Sequence, residues 1–285
     1  MIALGGRPRF GDDLRVRRAV LLLLLASSAA GLAGAPGPAG AAERPVACEG
    51  CWTPRATTRP WQIQLAGRTV ARVAAPIVEL DCDEASAATV RTLRRRGHRV
   101  LGYFSAGSTE SYRADADRFP AAVVGKVYDG WPQERWLDVR RLDVLLPIMR
   151  DRIATCARKG FDGVDPDNVN GHENPTGFPI SAADQVTFDR AIADEAHRQG
   201  LAVVLKNTGS LVPRLVDWFD GAVVESCFQY RECGAYSPFV RRGRPVLAIE
   251  YRRAGLRSCA DARRRGISLI VKRRSLSAAR WTCPR

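Results

Sequence analysis

A twelve-residue stretch, GFDGVDPDNVNG over 160–171, carries carboxylates and amides at close spacing. These polar residues are Asp162, Asp165, Asp167, Asn168 and Asn170. Carboxylates at this density repel one another and resist burial unless a cation or a proton offsets their charge. Such a group can bind a metal ion, carry out acid–base chemistry or cap turns, and its place in the fold decides among these roles.

Two chemistries suit converging carboxylates, and the local spacing disfavours one of them. An EF-hand loop starting at Asp165 would need an acid at its fifth position and glycine at its sixth, but Val169 and Asn170 stand there. Glycoside hydrolysis needs two carboxyl groups, one to protonate the leaving oxygen and one to attack or to activate water. The sequence has no H-E-x-x-H motif, no P-loop and no histidine placed for a triad, and the segment 102–107 misses a nucleophile elbow by one residue.

The elements that must position these residues follow from the apolar pattern. Eight short runs rich in Val, Ile and Leu predict buried parallel strands. They are Trp61–Leu65, Pro76–Asp81, Val100–Ser105, Phe161–Asp165, Ala202–Lys206, Ala222–Glu225, Pro245–Glu250 and Ile267–Lys272. Helices are predicted over Ala85–Arg96, Leu142–Arg158 and Ser181–Gln199, and the last opens with a capping-box-like Ser181-x-x-Asp184.

Eight strands that alternate with helices indicate an α/β fold, a (β/α)8 TIM barrel. A doubly wound open sheet is the alternative, but no G-x-G-x-x-G opens a helix after a strand. In a barrel the active site lies where the strands end, and polar residues stand at those ends: Asp81, Tyr103, Ser105, Asp165, Asp167, Asn168, Lys206, Asn207, Glu225 and Glu250. We expect one shared polar pocket there, whereas Asp162 is expected to cap a turn or to pair with an arginine.

The first 41 residues are predicted to be a signal peptide. Three arginines precede the apolar run Ala19–Leu25, and Ala39–Ala41 has the small-residue pattern of a cleavage site. A membrane anchor is the alternative, but the apolar run is short for a bilayer span. We therefore expect a secreted protein with a cysteine-containing segment at 42–60 and one barrel domain at 61–285.

All eight cysteines follow the predicted signal peptide, and an even count in an exported chain indicates disulfides. Cys227 and Cys233 are close enough to pair, while the other pairings stay open. Cys48-x-x-Cys51 could instead be a redox pair or half of a metal site. No second C-x-x-C exists and the three histidines are widely spread, so no zinc is expected.

The net charge is +14, and the five Arg and two Asp of the first 41 residues leave +11 for the rest. A basic chain suggests nucleic-acid binding, but no nucleic-acid motif is present and many arginines, such as Arg94–Arg96, lie on predicted helices. We expect a monomer with no cofactor, no nucleic-acid partner and no membrane contact after signal cleavage.

Six segments in order carry a family resemblance: Tyr103–Ser108, Gly130–Asp138, Phe161–Asn168, Lys206-Asn207, Glu225–Cys233 and Glu250-Tyr251. They resemble the motifs of the endo-α-1,4-polygalactosaminidases, glycoside hydrolase family 114. The resemblance runs from about Trp61 to Tyr251. The family commonly has Gln after the strand-six Glu, where this chain has Ser226, so fine substrate contacts are expected to differ.

The resemblance implies a barrel that cleaves α-1,4-linked galactosamine polymers. By motif position it assigns Asp167 and Glu225 as the catalytic pair. We expect Asp167 to be the nucleophile and Glu225 the general acid/base, and the reverse order stays open. Their separation would decide the stereochemistry, about 5 Å for retention and roughly 6.5–9.5 Å for inversion.

Further residues are expected to bind substrate: Asp165, Asn168, Lys206, Asn207, Glu250, Tyr103, Ser105, Trp131, Trp136 and Asp81. The two tryptophans would form an apolar wall for sugar faces or belong to the core. Lys206 and Asn207 would donate to sugar hydroxyls or keep a carboxylate ionised, and Lys206 as a structural counter-ion is the alternative. Glu250 and Asp81 would bind a substrate ammonium.

Two other functions stay open from the sequence. A non-catalytic polysaccharide-binding barrel would keep the aromatic residues without a correctly spaced carboxylate pair. A secreted metal-binding scaffold would hold a cation at Asp165 and Asp167. A basic enzyme repels a cationic polymer at long range, so the hydrolase hypothesis requires an acidic pocket mouth.

Overall fold

Eight parallel strands follow one another around a curled sheet in the computed structural model, as the eight apolar runs predicted. The structure describes residues 44–70 and 72–284, and from Arg44 onward the chain clusters as one unit. The predicted signal peptide and its cleavage site lie outside the described residues.

The strands of the described residues are β1 Gln62–Gln64, β2 Ile77–Asp81, β3 Arg99–Ser105, β4 Ser108–Glu110, β5 Val124–Tyr128, β6 Trp131–Leu137, β7 Gly163–Asp167, β8 Ala202–Lys206, β9 Gly221–Glu225, β10 Val246–Glu250, β11 Ser268–Val271 and β12 Trp281–Thr282. The helices are α1 Ala87–Arg95, α2 Leu142–Lys159, α3 Ala182–Arg198, α4 Val212–Leu215, α5 Cys227–Tyr230, α6 Ser237–Arg241 and α7 Cys259–Arg264. Short 3-10 helices cover Ala116–Arg118, Ala121–Val123, Gly171–Glu173, Gly209–Leu211, Cys233–Tyr236 and Arg253–Ser258.

The main sheet has the order β1-β2-β3-β7-β8-β9-β10-β11-β12, and every pair is parallel except β11 with β12. The segment after β11 leads back to β1. Leu65 N donates to the carbonyl of Leu276 at 3.0 Å, and the Arg280 guanidinium donates to the carbonyl of Trp61. This segment therefore joins the two ends of the curled sheet.

The side-chain alternation of the strands separates two cores. Val204, Val223 and Leu247 belong to a cluster inside the curled sheet, whereas Val203 and Leu205 pack on the helix side. Successive side chains of a strand point to opposite faces. The inward series of β8 and β9 therefore end in Lys206 and Glu225, and the same parity along β7 ends in Asp165 and Asp167.

The predicted helices are present with close to their predicted bounds, and the capping box is confirmed. Asp184 N donates to Ser181 Oγ at 3.1 Å, and Ser181 N donates to Asp184 Oδ2 at 2.9 Å. This exchange satisfies donors that the first turn of α3 would otherwise leave unpaired. No described helix has the length and hydrophobicity that crossing a bilayer requires.

The long insertion after β3 forms a separate three-stranded antiparallel sheet in the order β4-β6-β5. Its register places Ser108 opposite Trp136 and Glu110 opposite Glu134. Leu137 N donates to the carbonyl of Gly107 at 2.9 Å, which ties the insertion to the end of β3. This sheet therefore contributes side chains at the mouth of the barrel.

All eight cysteines are paired, and the predicted Cys227–Cys233 disulfide is confirmed. The other pairs are Cys48–Cys51, Cys82–Cys156 and Cys259–Cys283. Cys82–Cys156 ties the end of β2 to α2 across 74 positions of sequence. The Cys48-x-x-Cys51 motif is thus a disulfide and not half of a metal site.

Candidate active site

One buried ammonium lies among three carboxylates at the mouth of the barrel. Lys206 Nζ is 3.2 Å from Asp167 Oδ2, 3.6 Å from Asp165 Oδ2 and 3.8 Å from Glu225 Oε2. Asp167, Lys206 and Glu225 end the neighbouring strands β7, β8 and β9. The lysine side chain is only 3% exposed, so water screens these ion pairs little.

The spacing of the two predicted catalytic carboxylates follows from their shared partner. Because both distances are measured from one nitrogen, Asp167 Oδ2 and Glu225 Oε2 are at most about 7.0 Å apart, the two distances laid end to end. This bound concerns these two oxygens alone: it includes the spacing of about 5–5.5 Å typical of retaining glycosidases and also reaches the lower end of the roughly 6.5–9.5 Å range of inverting ones.

Hydrogen bonds hold Glu225 in a fixed orientation. Asn207 Nδ2 donates to Glu225 Oε2 at 3.2 Å, Asn207 Oδ1 accepts from Glu225 N at 3.0 Å, and the Tyr251 hydroxyl donates to Oε1. Burial pushes the pKa of Glu225 up, but Lys206, the bonds from Tyr251 and Asn207, and Arg274 at longer range outweigh it, so the net pKa is lowered. Glu225 is therefore an oriented carboxylate in the unliganded protein.

Two buried carboxyl groups lie beneath this layer. Asp165 and Glu79 are fully buried, and neither accepts a hydrogen bond from an amine, amide or hydroxyl group of the described residues. Burial and the charge of Asp167 raise the pKa of Asp165 to about 7 against the opposing effect of Lys206, while burial and Asp165 raise the pKa of Glu79 well above its usual value. The pair therefore holds a proton at neutral pH, and Asp165 lies below the pocket surface.

Three non-glycine residues with left-handed backbone follow the ends of β7, β8 and β9. Asn168 has φ 62°, Asn207 has φ 50° and Ser226 has φ 57°. Asparagine tolerates this region better than most residues. The turn lets Asn168 Nδ2 donate to Ser105 at 3.0 Å, to Ser108 at 2.9 Å and to Glu134 at 2.6 Å.

Glu134 is a site residue that sequence reasoning missed. It reaches the mouth from β6, accepts hydrogen bonds from Ser108 and Asn168, and is partly exposed. Burial and the charge of Asp167 raise its pKa to about 7, against the opposing effect of those two hydrogen bonds. Glu134 and Trp136 are two positions apart, so in a strand their side chains lie on the same face. That spacing could have indicated Glu134 only if the insertion had been predicted to contain a strand.

Two predicted substrate ligands are engaged elsewhere. Both oxygens of Asp81 accept from the Arg113 guanidinium, at 2.9 Å and 2.6 Å. Glu250 is 3% exposed and accepts from the backbone N–H of Phe228 at 2.9 Å. The structure thus places Asp81 in a buried ion pair with Arg113, and Glu250 as the acceptor that holds the loop after β9.

Of the aromatic residues predicted to bind substrate, some are accessible in the site and one is buried. Trp131 is 54% exposed, whereas Trp136 is 3% exposed and stacks on Tyr128 with ring centroids 4.7 Å apart. Tyr103 lies in the site, with its ring centroid 5.4 Å from Lys206 Nζ. Of the two tryptophans, only Trp131 therefore offers a ring face to solvent.

Ser105 and Asp162 have internal partners. Ser105 is fully buried and bonds with Ser108 and Asn168. Asp162, expected to pair with an arginine, does so with Arg99 at 2.7 Å. Within residues 44–70 and 72–284, no group of three or more His, Cys, Asp or Glu side chains is arranged to hold a metal ion. Lys206 occupies the position between the carboxylates that a cation would take.

Comparisons with known proteins identify the family and the fold. A family model described as glycoside-hydrolase family GH114 matches residues 41–285. The crystal structure of Aspergillus fumigatus Ega3 in complex with galactosamine is 34% identical, has a TM-score of 0.77, and its match covers 81% of this chain and 97% of that chain. No curated protein matches the chain.

A more distant structure shares the fold. The glycoside hydrolase domain of PelA from Pseudomonas aeruginosa is 18% identical, with a TM-score of 0.63 over 79% of this chain and 99% of that chain. At this identity the likeness concerns the fold alone. Together with the strand order, these matches confirm the predicted barrel fold and exclude the doubly wound alternative.

Proposed function

The chain belongs to glycoside-hydrolase family GH114, and we propose that it cleaves α-1,4-linked galactosamine-containing polysaccharide with Asp167 and Glu225. It is a glycoside hydrolase with a barrel fold, as its motifs predicted. The Ega3 structure, 34% identical, contains galactosamine, and this supports an amino-sugar polymer as the substrate.

The observation that carries the mechanism is the shared ammonium of Lys206. It brings the carboxylates of β7 and β9 within 4 Å of one nitrogen, so both groups face the same small volume. Two carboxyl groups at this separation can act on a single glycosidic bond. The bound of about 7.0 Å between the two oxygens accommodates the spacing of about 5–5.5 Å that retention of configuration uses, and retention is the outcome we propose.

In the proposed reaction Asp167 attacks the anomeric carbon while Glu225 donates a proton to the departing glycosidic oxygen. The bond from the anomeric carbon to that oxygen breaks, and a covalent glycosyl ester forms on Asp167. Glu225, now ionised, removes a proton from water, which attacks the same carbon and releases the ester. The shorter ion pair of Lys206 to Asp167 suits the group that attacks as an anion.

The pKa of Glu225 is lowered in the free protein, which opposes its proposed role as the general acid. A general acid must carry a proton at the working pH, so substrate binding has to raise this pKa. Removal of water and the approach of the neutral glycosidic oxygen both favour the protonated form. Tyr251 and Asn207 then position the carboxyl group for proton transfer.

Glu134 is the best-placed carboxyl group for the substrate amino group. It is partly exposed at the mouth, whereas Asp81 and Glu250 are buried and already hold Arg113 and Phe228. An ionised Glu134 would pair with the ammonium of an unacetylated sugar. Exposed Trp131, on the same insertion, would pack on a sugar face.

We further propose that the protein is secreted as a monomer. Four disulfides among the described residues support an oxidising compartment. Size-exclusion chromatography with light scattering of the culture-medium protein would measure its oligomeric state. Edman sequencing of that protein would test the proposed cleavage after Ala41.

The test follows new reducing ends released from α-1,4-galactosamine polymers of several degrees of acetylation. Asp167→Asn and Glu225→Gln are each expected to lower kcat by on the order of 10²-fold or more. Exposed Asp117→Asn and Glu49→Gln serve as charge-matched controls. Binding without release by the wild type would replace this proposal with a non-catalytic polysaccharide-binding barrel.

The two roles can be separated with an activated aryl glycoside and added azide. Glu225→Gln should regain rate with azide and yield a glycosyl azide of retained configuration, because azide needs no general base. Asp167→Asn should yield the inverted azide or none. The opposite pattern would exchange the two roles, and NMR of the first anomer released by the wild type would test retention.

A further inference from the structure

A cavity of about 860 Å³ lies at the end of the barrel opposite the active site. Its lining includes Pro60, Pro76, His98 and Ile267, which immediately or closely precede β1, β2, β3 and β11. The catalytic residues stand at the carboxyl ends of their strands, and these residues stand at the amino ends. The cavity is therefore separate from the site already described.

The cavity exists because the helix layer is incomplete at this position. Among the described residues no helix lies between β1 and β2, and β11 is followed by the antiparallel strand β12. In a complete barrel a helix after each strand would cover these places. The gap leaves Val73, Ala75 and Leu269 on the cavity wall.

The charged side chains among the described residues that line this cavity are all basic. The lining includes four arginines and one histidine and no Asp or Glu: Arg59, Arg96, Arg263, Arg280 and His98. An ordinary solvated protein surface mixes both signs of charge. A concave surface of one sign concentrates ions of the opposite sign, so this cavity attracts anions.

Arg280 is a lining residue whose guanidinium has only carbonyl partners among the described residues. Its guanidinium donates to the carbonyls of Trp61 and Ala74 and is partly buried, and burial lowers its pKa. Within the part of the chain that the structure describes, no carboxylate forms an ion pair with it. An oxyanion in the cavity would supply the charge that folding leaves uncompensated.

A second concave region of about 510 Å³ continues the first and shares Gly97 and His98 with it. Its other lining residues are Arg91, Arg94, Arg95 and Arg99. Arg94 and Arg99 pair with Asp162, so part of this charge is already used. We refer to the two regions, which meet at Gly97 and His98, as the basic trough, and each has a volume larger than a single oxyanion fills.

We propose that this basic trough binds an acidic polysaccharide through its carboxylate or sulfate groups. Arginine forks match such planar or tetrahedral oxyanions, and a trough accommodates a strand. No Phe, Tyr or Trp lines either region, although sequence-independent binding of single-stranded nucleic acid uses aromatic stacking. None of the exposed large apolar side chains lines it either, although an interfacial membrane site would use them.

The two ends of the barrel would then have different roles, with anion binding at the amino ends of the strands and hydrolysis at the carboxyl ends. An anionic strand at the amino ends leaves the carboxyl-end mouth open. A matrix in which a polycation and a polyanion are mixed would then retain the enzyme by one component while it cleaves the other. The binding itself is independent of the proposed hydrolase activity.

The test measures affinity of the purified mature protein for alginate, which carries carboxylates, and for dextran sulfate, with neutral dextran as the blank. The combined variant Arg59→Gln/Arg91→Gln/Arg263→Gln removes three trough charges. Arg118→Gln/Arg158→Gln/Arg198→Gln removes three exposed charges that line neither region. Thermal melting and reducing-end release establish that both variants are folded.

At about 150 mM salt the trough variant is expected to bind at least one acidic polysaccharide roughly tenfold more weakly, with less than about a twofold change in the control variant. The more affected polymer identifies the preferred oxyanion. Equal losses in the two variants, or no binding of either polymer, would overturn the proposal. A loss confined to duplex DNA or phosphatidylserine vesicles would also overturn it.

Discussion

Lys206 is the single side chain that makes the carboxylate cluster compatible with burial. Burial lowers the pKa of its ammonium, but Asp167, Glu225 and Asp165 outweigh that effect and raise the pKa well above its usual value. The lysine therefore stays charged throughout the working pH range. Lys206 therefore serves as a structural counter-ion and also as a site residue, because the same charge stabilises the fold and keeps carboxylates ionised.

Replacing the lysine should cost stability in a pH-dependent way. Lys206→Met is expected to lower the free energy of unfolding by about 3–5 kcal/mol at pH 7, because it leaves buried carboxylates without their cation. The loss should be smaller near pH 4, where those carboxyl groups accept protons. Urea denaturation at both pH values measures the difference, with exposed Lys126→Met as the control. An equal loss at both pH values would mean that packing, and not charge, is what Lys206 contributes.

Glu134 should control how activity on unacetylated polymer depends on pH. Its pKa of about 7 means that it becomes ionised as pH rises through neutrality, and only the ionised form pairs with an ammonium. In the wild type kcat/KM should therefore rise across this range, chiefly through KM, and Glu134→Gln should lose that rise. Fully N-acetylated polymer should show little of it in either protein.

The same profile distinguishes Glu134 from the other carboxyl group that titrates there. Asp165 also has a pKa of about 7, but it is fully buried and cannot contact the polymer. If Glu134→Gln keeps the rise in kcat/KM, the titration belongs to Asp165 or to another group. Glu134 would then not be the ammonium ligand.

At the scale of elements, the loop after β9 is built to hold Glu225 still. Ser226 takes a left-handed backbone, α5 begins at the next residue, and the Cys227–Cys233 disulfide closes the segment. Glu250, at the end of β10, accepts from the N–H of Phe228 within α5. The loop is therefore fixed covalently at one side and by a buried hydrogen bond at the other.

Removing two disulfides that close loops of different length should affect stability and activity in opposite orders. Replacing Cys82 and Cys156 by alanine opens a link across 74 positions and should cost about 4 kcal/mol, whereas replacing Cys227 and Cys233, six positions apart, should cost about 2 kcal/mol. The activity loss should have the reverse order, because only the shorter link adjoins Glu225. Denaturation and reducing-end assays on both double variants measure the two orders. A larger activity loss on opening Cys82–Cys156 would contradict this role of the loop.

Local patterns predicted the strands, the barrel and the convergence of Asp167, Lys206 and Glu225, because strand parity and strand-end position are properties of short segments. What they missed depends on pairing between distant segments. The insertion was recognised only as long, so Glu134 went unassigned. Asp81 was expected to face substrate, but its partner is Arg113, 32 positions away in the sequence. No spacing rule connects the two residues before the fold is known.

The whole molecule combines a basic body with an acidic mouth. Residues beyond the first 41 carry a net charge of +11, yet Asp165, Asp167 and Glu225 surround Lys206 at the carboxyl ends of the strands. Glu134 adds a further carboxyl group beside Asn168. The amino ends carry the arginine trough. Long-range repulsion of a polycation and short-range attraction to the mouth therefore act on the same substrate, and their different ranges allow salt to separate them.

Rising salt concentration should weaken the long-range repulsion first and the short-range attraction at the mouth second. The Debye length falls from about 30 Å at 0.01 M to about 10 Å at 0.1 M ionic strength, so moderate salt screens the repulsion by the whole protein before it screens contacts at the mouth. For unacetylated polymer, kcat/KM should rise over this interval and fall toward 1 M as ammonium–carboxylate contacts weaken. Fully N-acetylated polymer, which is neutral, should show a flat profile. A steady fall from the lowest salt would mean that the acidic mouth governs approach from a distance, and that the basic body has no kinetic cost.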